Sequence, residues 1–219
     1  MSTFPNSPRL LKGGIVLLDS ISGAIRRIVT LQYNPDSLTR SLQIQSVPGD
    51  TKDRTEALRL IGPPVETIKL EAEIDATDQL EFPDKNPNTA QAGIFPQLAA
   101  LETIIYPTSQ QLIGNNNLAS QGTLEITPME APLTLFIWSS RRIVPVRMTD
   151  FSVTEEAFDA FLNPIRAKVS IGMRVLSVTD LGFEHKGGNL FLAYQKQKER
   201  LASLNQAGTV AALGITGIS

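Results

Sequence analysis

Alternation of apolar and polar residues is the main signal in this chain, and it is clearest in two segments. From Thr67 to Asp75 every second residue is apolar, namely Ile68, Leu70, Ala72 and Ile74. The same alternation occurs twice between Arg141 and Val178, on either side of the connection TEEAFDAFLNP at 154–164. Successive side chains of a strand point to opposite faces, so each run predicts a strand with one buried face.

Weaker patterns predict the remaining elements. Two strands, 10–18 and 24–33, are expected to form a hairpin around the turn at 19–23. Helices are predicted at 93–106, with Pro96 in the first turn, and at 190–205. Further strands are predicted at 38–44, 123–127 and 133–139, and polar loops at 82–91 and 110–122.

These elements together predict a mainly β fold. Short strands in mostly antiparallel order, with two flanking helices, favour a β-barrel or β-sandwich. We divide the chain into a flexible N-terminal arm at 1–9, a barrel domain at 10–206 and a C-terminal tail at 207–219. The charged, proline-bounded stretch 48–64 is expected to extend from the barrel as a loop or arm.

Composition excludes several classes of function. The net charge of −2 and the aromatic content of 6% do not suit a nucleic-acid surface, which needs basic residues and stacking aromatics. The chain has no cysteine, so disulfides, thiolate chemistry and cysteine metal sites are absent. No apolar run reaches the roughly 18 residues of a membrane span. The start, MSTFPNSPRLLKGG, lacks the apolar core of a signal peptide.

Two groups of residues are candidates for catalysis. Glu155, Glu156 and Asp159 form an acidic cluster that could supply an acid and a base for glycoside hydrolysis. His185 is the only histidine, and the chain has no Gly-x-Ser-x-Gly motif. We expect solvated or ion-paired carboxylates and a surface histidine in a turn, so no catalytic, cofactor-binding or metal-binding residue is assigned.

One strand suggests contact beyond its own sheet. Trp138 and Phe136 lie on the face opposite Leu133, Leu135 and Ile137, so the strand is apolar on both faces. Core packing under a helix and burial against another subunit both explain this pattern. The arginines are expected to form ion pairs within or between subunits. The candidate interface residues are Asp50, Lys52, Asp53, Arg54, Glu56, Trp138, Arg141 and Arg142.

Two fragments resemble a known family. PVRMTDFSVTEEAFDAFLNPIRAKVSIGMRVL, at 145–176, resembles the core of the tube-like baseplate proteins of contractile injection systems, relatives of phage tail tube proteins. LQYNPDSLTRSLQIQ, at 31–45, resembles the amino-terminal strand pair of the same family. The fragments occur in the family's order, and the resemblance covers residues 10–206.

The resemblance implies a non-enzymatic structural role. A tube-like barrel would assemble in the bacterial cytoplasm as a hexameric ring, joining the inner tube of a phage tail-like particle to its spike and baseplate. Its partners would be other copies of itself and neighbouring tube, spike-hub and baseplate proteins, without nucleic acid or membrane insertion. Many relatives carry a LysM domain after this region, whereas the sequence ends at Ser219, so a variant without LysM is expected.

Three alternatives stay open at this point. The same resemblance would also suit an inner tube subunit or a tube-initiator ring. A carboxylate-based hydrolase would use the acidic cluster or His185. A monomeric β-barrel that binds a small ligand would remain a monomer at high concentration.

Overall fold

The computed structural model describes residues 10–19, 22–46, 59–120, 131–205 and 208. Within these ranges, seven strands form one antiparallel sheet in the order β2-β1-β5-β6-β7-β4-β3. The strands are β1 (Gly14–Leu18), β2 (Ile25–Thr30), β3 (Leu38–Gln43), β4 (Val65–Asp75), β5 (Leu133–Ser139), β6 (Arg142–Phe158) and β7 (Pro164–Val175). The helices are α1 (Thr77–Leu80), α2 (Pro87–Ala92), α3 (Phe95–Glu102), α4 (Ser109–Ser120), α5 (Val178–Leu181) and α6 (Lys186–Ser203), with a 3-10 turn at Pro83–Lys85.

The mainly β class is confirmed, but the sheet does not close into a barrel. In the described part of the chain, β2 pairs only with β1, and β3 pairs only with β4. β3 runs along residues 65–70 of β4, so the second half of β4 has no partner on that side. Because the β3–β4 pairing is short, the sheet stays open between β2 and β3, although these two edge strands follow one another in sequence.

The main core lies on one face of the sheet and follows the predicted alternation. On β4 the buried residues include Ile68 and Leu70, and on β7 they include Ile171 and Met173. Opposed residues of an antiparallel pair share a face, and the register pairs Leu70 with Ile171 and Ile68 with Met173. Helix α3 adds Leu98 and Leu101, and α6 adds Phe191 and Tyr194.

A second, smaller core covers the other face of β1 and β5. Val16, Leu18, Leu133 and Leu135 pack there beneath Leu181 and Leu190, which belong to α5 and α6. Helix packing on this face therefore explains why β5 is apolar on both sides. Burial under helices, and not contact with another subunit, is therefore sufficient to explain the apolar residues Leu133 and Leu135 on this face.

The connection predicted at 154–164 is mostly strand. β6 continues to Phe158 and pairs with β7 as far as Pro164, with register shifts between Met148 and Asp150 and again after Glu155. Such bulges let a strand change register without ending. The polar run lacks an apolar alternation of its own, so its strand conformation depends on its partner strand β7.

The described residues contain six α-helices, so the prediction of two helices was wrong. The helix predicted at 190–205 is present as α6, whereas the helix predicted at 93–106 is shortened to α3. Helix α4 occupies most of the loop predicted at 110–122, and α2 lies in the loop predicted at 82–91. The predicted strand 123–127 lies outside the described residues.

A reciprocal cap starts α4. Thr108 Oγ1 accepts a hydrogen bond from Gln111 N at 3.2 Å, and Gln111 Oε1 accepts one from Thr108 N at 2.9 Å. Thr-x-x-Gln is a sequence signal for the start of a helix. The asparagine run at 115–117 made this segment look like a loop, yet the capping signal precedes it.

Candidate subunit interface

Five of the eight predicted interface residues lie outside the described part of the chain, namely Asp50, Lys52, Asp53, Arg54 and Glu56. The other three meet at the β5–β6 hairpin. The Trp138 ring stacks on Phe136 with centroids 6.0 Å apart and an interplanar angle of 25°. It also lies so close to Gly13 that a Cβ there would be 2.7 Å from Trp138 Cε3. Trp138 therefore packs against the core, whereas Arg141 is exposed and Arg142 half-buried.

The carboxylates weighed for catalysis have structural partners or face solvent. Glu155 and Glu156 lie on β6, and Glu156 forms an ion pair with Lys168 at 3.0 Å. Asp159 organises the turn after β6. Hydrogen bonds from the Asn163 side chain and from the backbone amides of Asn163 and Phe161 lower the pKa of Asp159.

His185 is the N-cap of α6. Its Nδ1 accepts a hydrogen bond from Gly187 N at 3.1 Å, and the ring is half-buried. The expected surface histidine in a turn is thus a helix cap. The described ranges contain no group of three or more histidine and acidic residues that could hold a metal ion.

Both edges of the sheet carry exposed apolar side chains. On β2, Ile25 is 63% exposed and Ile28 is 58% exposed. On the β3 side, Leu42 is 50% exposed and Ile44 is 71% exposed. An unpaired edge presents free backbone N–H and C=O groups to any strand that approaches it. These edges are therefore the first candidate surfaces for association.

The described residues that flank the predicted 48–64 arm pair with each other beyond the end of the β3–β4 ladder. Ser46 and Leu60 form an antiparallel bridge, and Ile61 N donates to Gln45 O at 3.1 Å. Leu60 and Ile61 are both exposed there. The described residues on either side of that stretch are therefore neighbours in the structure.

A side chain bridges the gap between β2 and β4. Gln32 Nε2 donates to Asp75 O at 2.6 Å, and Asp75 N donates to Gln32 Oε1 at 3.0 Å. The side-chain amide of Gln32 thus makes the two backbone hydrogen bonds with Asp75 that a neighbouring strand would otherwise make. A cavity of about 320 Å³ lies between the two strands, lined by apolar residues of β2, β4 and α3.

The β6–β7 turn exposes three large apolar side chains. Phe161 is 87% exposed, Leu162 is 76% exposed and Phe158 is 49% exposed. We call these three residues the hairpin tip. The sequence showed the two phenylalanines, but only the strand extension to Phe158 places them at the end of a hairpin.

A buried carboxylate joins α6 to the sheet. Glu66 on β4 is 3% exposed, and its Oε1 accepts hydrogen bonds from Arg40 Nε at 2.7 Å and from Tyr194 Oη at 3.1 Å. Its Oε2 accepts one from Lys198 Nζ at 2.9 Å. Both carboxylate oxygens are therefore satisfied, as a buried charge requires.

The electrostatics of this cluster follow from its geometry. Burial acts to raise the pKa of Glu66, but hydrogen bonds and charges from Arg40 and Lys198 outweigh it and leave the pKa below the ordinary value. Burial, together with the negative charge of Glu66, raises the pKa of Tyr194 to about 12. At neutral pH the cluster thus holds a charged Glu66 and a neutral Tyr194.

The residues of this cluster are not among the candidates predicted from sequence, although one sequence signal points to Glu66. Glu66 occupies the same face of β4 as Ile68, Leu70, Ala72 and Ile74, so it is a charged residue in a buried register. A charge at such a position requires a partner. Its partners are Arg40 on β3 and Tyr194 and Lys198 on α6. The sequence alone does not show that these two elements lie next to Glu66.

Comparisons with known proteins give limited similarity. No protein-family model matches the chain, and no curated protein matches it. A search of solved structures finds a chain from the tail of an empty GTA particle, computed with helical refinement in C6 symmetry, at 12% identity and a TM-score of 0.29. The match covers 75% of this chain and 90% of that chain. A TM-score of this size establishes neither fold nor function. No helix in the described ranges is long and apolar enough to cross a membrane.

Proposed function

We propose that this protein is a non-enzymatic structural subunit of a phage tail-like contractile injection system. It forms a ring and joins the inner tube to the spike and baseplate. The observation that carries the proposal is that β2 and β3, the terminal strands of one seven-stranded sheet, each lack a partner strand on one side among the described residues.

Open edges at both ends of a sheet suit head-to-tail association. The free edge of β2 faces β4 of its own chain across the Gln32 bridge, but β2 has no backbone partner strand there among the described residues, so the β3 edge of another copy can still pair with it. The two edges are different surfaces, so the contact is heterologous, and a heterologous contact gives a ring when its rotation closes. The exposed Ile28 and Leu42 supply apolar area at the two edges.

The place of the ring within the particle rests on the resemblance of 31–45 and 145–176 to tube-like baseplate proteins. An inner tube subunit or a tube-initiator ring would use the same edges. The partner proteins distinguish these roles, because an adaptor binds both tube and spike proteins whereas a tube subunit stacks on itself.

The test is the mass and shape of the purified protein across concentration, measured by light scattering and negative-stain imaging. The measurement is repeated with the neighbouring tube and spike proteins. Rings, formed alone or on a partner, are expected. A protein that stays monomeric and binds neither partner would contradict the proposal.

A charged β3 edge provides a matched pair of variants. Ser41→Lys with Gln43→Lys places two charges at exposed positions of β3 and is expected to abolish rings while leaving thermal unfolding nearly unchanged. Asn116→Lys with Asn117→Lys adds the same charge on exposed α4 and should leave rings intact. Equal assembly of both variants would show that the β3 edge is not used.

A further inference from the structure

The hairpin tip has no partner within the described part of its own chain. Phe161 and Leu162 are both more than three-quarters exposed, and Phe158 is about half exposed. Single exposed apolar residues are common, but three large ones around one turn form a patch that water solvates poorly. Such a patch is typical of a surface that another molecule covers.

The tip is held rigid by its own hydrogen bonds. Asp159 Oδ1 accepts from Phe161 N at 2.7 Å and from Asn163 N at 2.8 Å, while Asp159 Oδ2 accepts from Asn163 Nδ2 at 2.8 Å. Leu162 has a φ of 64°, in the left-handed region that side chains rarely adopt. The turn thus holds a strained leucine outward, and a preordered loop loses less entropy on binding.

The base of the turn is clamped as well. Ile94 N donates to Pro164 O at 2.9 Å, and Asn163 Nδ2 donates to Gln91 O at 3.2 Å. These bonds fix the hairpin against the start of α3. The orientation of the tip is therefore set by the fold and not by solvent.

A partly apolar groove lies elsewhere on the same chain, between β2 and the residues that follow α3. Its polar lining is supplied by Arg26, Arg27, Thr103, Thr108 and Gln111. Its volume is about 510 Å³, within the range of cavities that hold a sizeable ligand. We call it the β2–α3 groove; its apolar lining includes Leu17, Ile104, Ile105, Tyr106, Pro107 and Pro132. Ile105 is 46% exposed and Tyr106 is 66% exposed, so the lining is open to a partner.

The charges beside the tip and the groove are opposite. Arg27 lines the groove, and its Nη1 donates to Ala100 O at 3.1 Å and to Thr103 Oγ1, but no carboxylate among the described residues pairs with it. Glu155 stands exposed on the β6 strand that leads to the tip and has no ion-pair partner among the described residues. An inserted hairpin can therefore bring a carboxylate to a guanidinium that lacks one.

We propose that the hairpin tip of one copy inserts into the β2–α3 groove of a second copy, with Glu155 of the inserted hairpin against Arg27. This proposal rests on the proposed ring function and names the residues of one contact between subunits. Tip and groove are different surfaces, so the contact is head-to-tail, as a ring requires. The acidic residues near the tip oppose insertion into an anionic membrane, which favours a protein partner.

The absence of cysteine allows a direct test by disulfide cross-linking. Phe161→Cys and Ile105→Cys are made in separate chains, mixed and oxidised. A cross-linked dimer is expected for this mixture, because a disulfide forms only where the two Cα atoms come within about 7 Å. Phe161→Cys mixed with Leu118→Cys on exposed α4, and each variant alone, should give little dimer.

A second variant separates association from folding. Leu162→Asn keeps the backbone conformation, because asparagine tolerates a positive φ, but removes the apolar side chain. Its thermal unfolding is expected to match wild type, while association weakens at least about tenfold, as for an interface anchor. Charge reversal gives the specificity check: chains carrying Glu155→Arg should associate best with chains carrying Arg27→Glu.

The outcomes of these tests are distinct. Wild-type rings without the 161–105 cross-link, or a Leu162→Asn protein that assembles fully, overturn the tip contact but leave the proposed function intact. A wild-type protein that does not assemble, together with cysteine variants that do not cross-link, contradicts both. Flotation of wild type, but not of Leu162→Asn, with phosphatidylcholine–phosphatidylglycerol vesicles would assign the tip to a membrane and overturn the proposal.

Discussion

Tyr194 on α6 donates a 3.1 Å hydrogen bond from its hydroxyl to Glu66 Oε1 on β4, although the two residues are 128 positions apart. Lys198, one turn further along α6, lies 4.1 Å from the centre of the tyrosine ring and bonds the other carboxylate oxygen. Beyond Tyr194 the helix is largely exposed. A polar cluster, and not apolar packing, therefore attaches the second half of α6 to the sheet.

Glu66→Gln is expected to lower the free energy of unfolding by about 3 kcal/mol, because it leaves Arg40 and Lys198 without a counter-charge. Urea denaturation measures the loss. Glu71→Gln is the matched control, since Glu71 lies on the same strand but is exposed, and it should change the value by less than about 0.5 kcal/mol. Similar values for the two variants would show that the cluster does not stabilise the fold.

The contribution of Glu66 should also depend on pH. Its pKa in the folded protein lies below the ordinary value of 4.5, because the cationic partners outweigh burial. Its stabilisation is therefore fully present above pH 4.5 and is lost as the pH falls through the folded pKa. Denaturation curves at several pH values should show wild type and Glu66→Gln converging in acid. A constant difference down to low pH would contradict this assignment.

Tyr194 should titrate separately in alkaline solution. Burial and the Glu66 charge raise the pKa of Tyr194 to about 12 from 10.0, so its stabilisation is present below pH 10 and declines as the pH rises through 12. Absorbance at the tyrosinate band should contain a component near pH 12. Tyr194→Phe should lack that component, whereas Tyr106→Phe, at an exposed position, should keep it.

Gly93→Ala is expected to destabilise the fold by more than about 2 kcal/mol. Gly93 has a φ of +55°, and an added Cβ would lie 2.2 Å from the Pro164 carbonyl oxygen, so strain and a steric clash combine. Gly114→Ala in α4 is the control, because nothing lies within 4 Å of its Cβ position and alanine favours a helix. Thermal denaturation compares them, and equal melting temperatures would rule out the predicted clash.

Gln32→Ala should loosen the bridge between β2 and β4. Two hydrogen bonds to the backbone of Asp75 are lost, each worth about 1 kcal/mol net. The Asp75 amide donates a hydrogen bond to Gln32 Oε1, so its hydrogen exchange is expected to become clearly faster in Gln32→Ala. Gln91→Ala, at an exposed position on α2, should leave that amide unchanged. Unchanged Asp75 exchange in Gln32→Ala would indicate that the side chain does not close the gap.

Residue periodicity is sufficient to identify several of the strands and their buried faces. The alternation at 67–75 identified β4 and its inward side chains, and the two apolar faces of 133–139 indicated a strand covered on both sides. Helix α4 was also within reach, because Thr108 and Gln111 form a capping pair that the following asparagines obscured. These features depend on residues close together in the chain, whose periodicity and capping chemistry can be read directly.

The way in which these elements combine cannot be read from residue periodicity. The strand order, the open edges, the Gln32 bridge and the Glu66 cluster all depend on contacts between residues far apart in sequence. The extension of β6 to Phe158 has the same cause, because β7 provides the backbone partners that a polar segment needs to remain a strand. Alternation of apolar and polar residues indicates which face of a strand is buried. Which strands pair with each other depends on side-chain packing and backbone hydrogen bonds across the whole sheet.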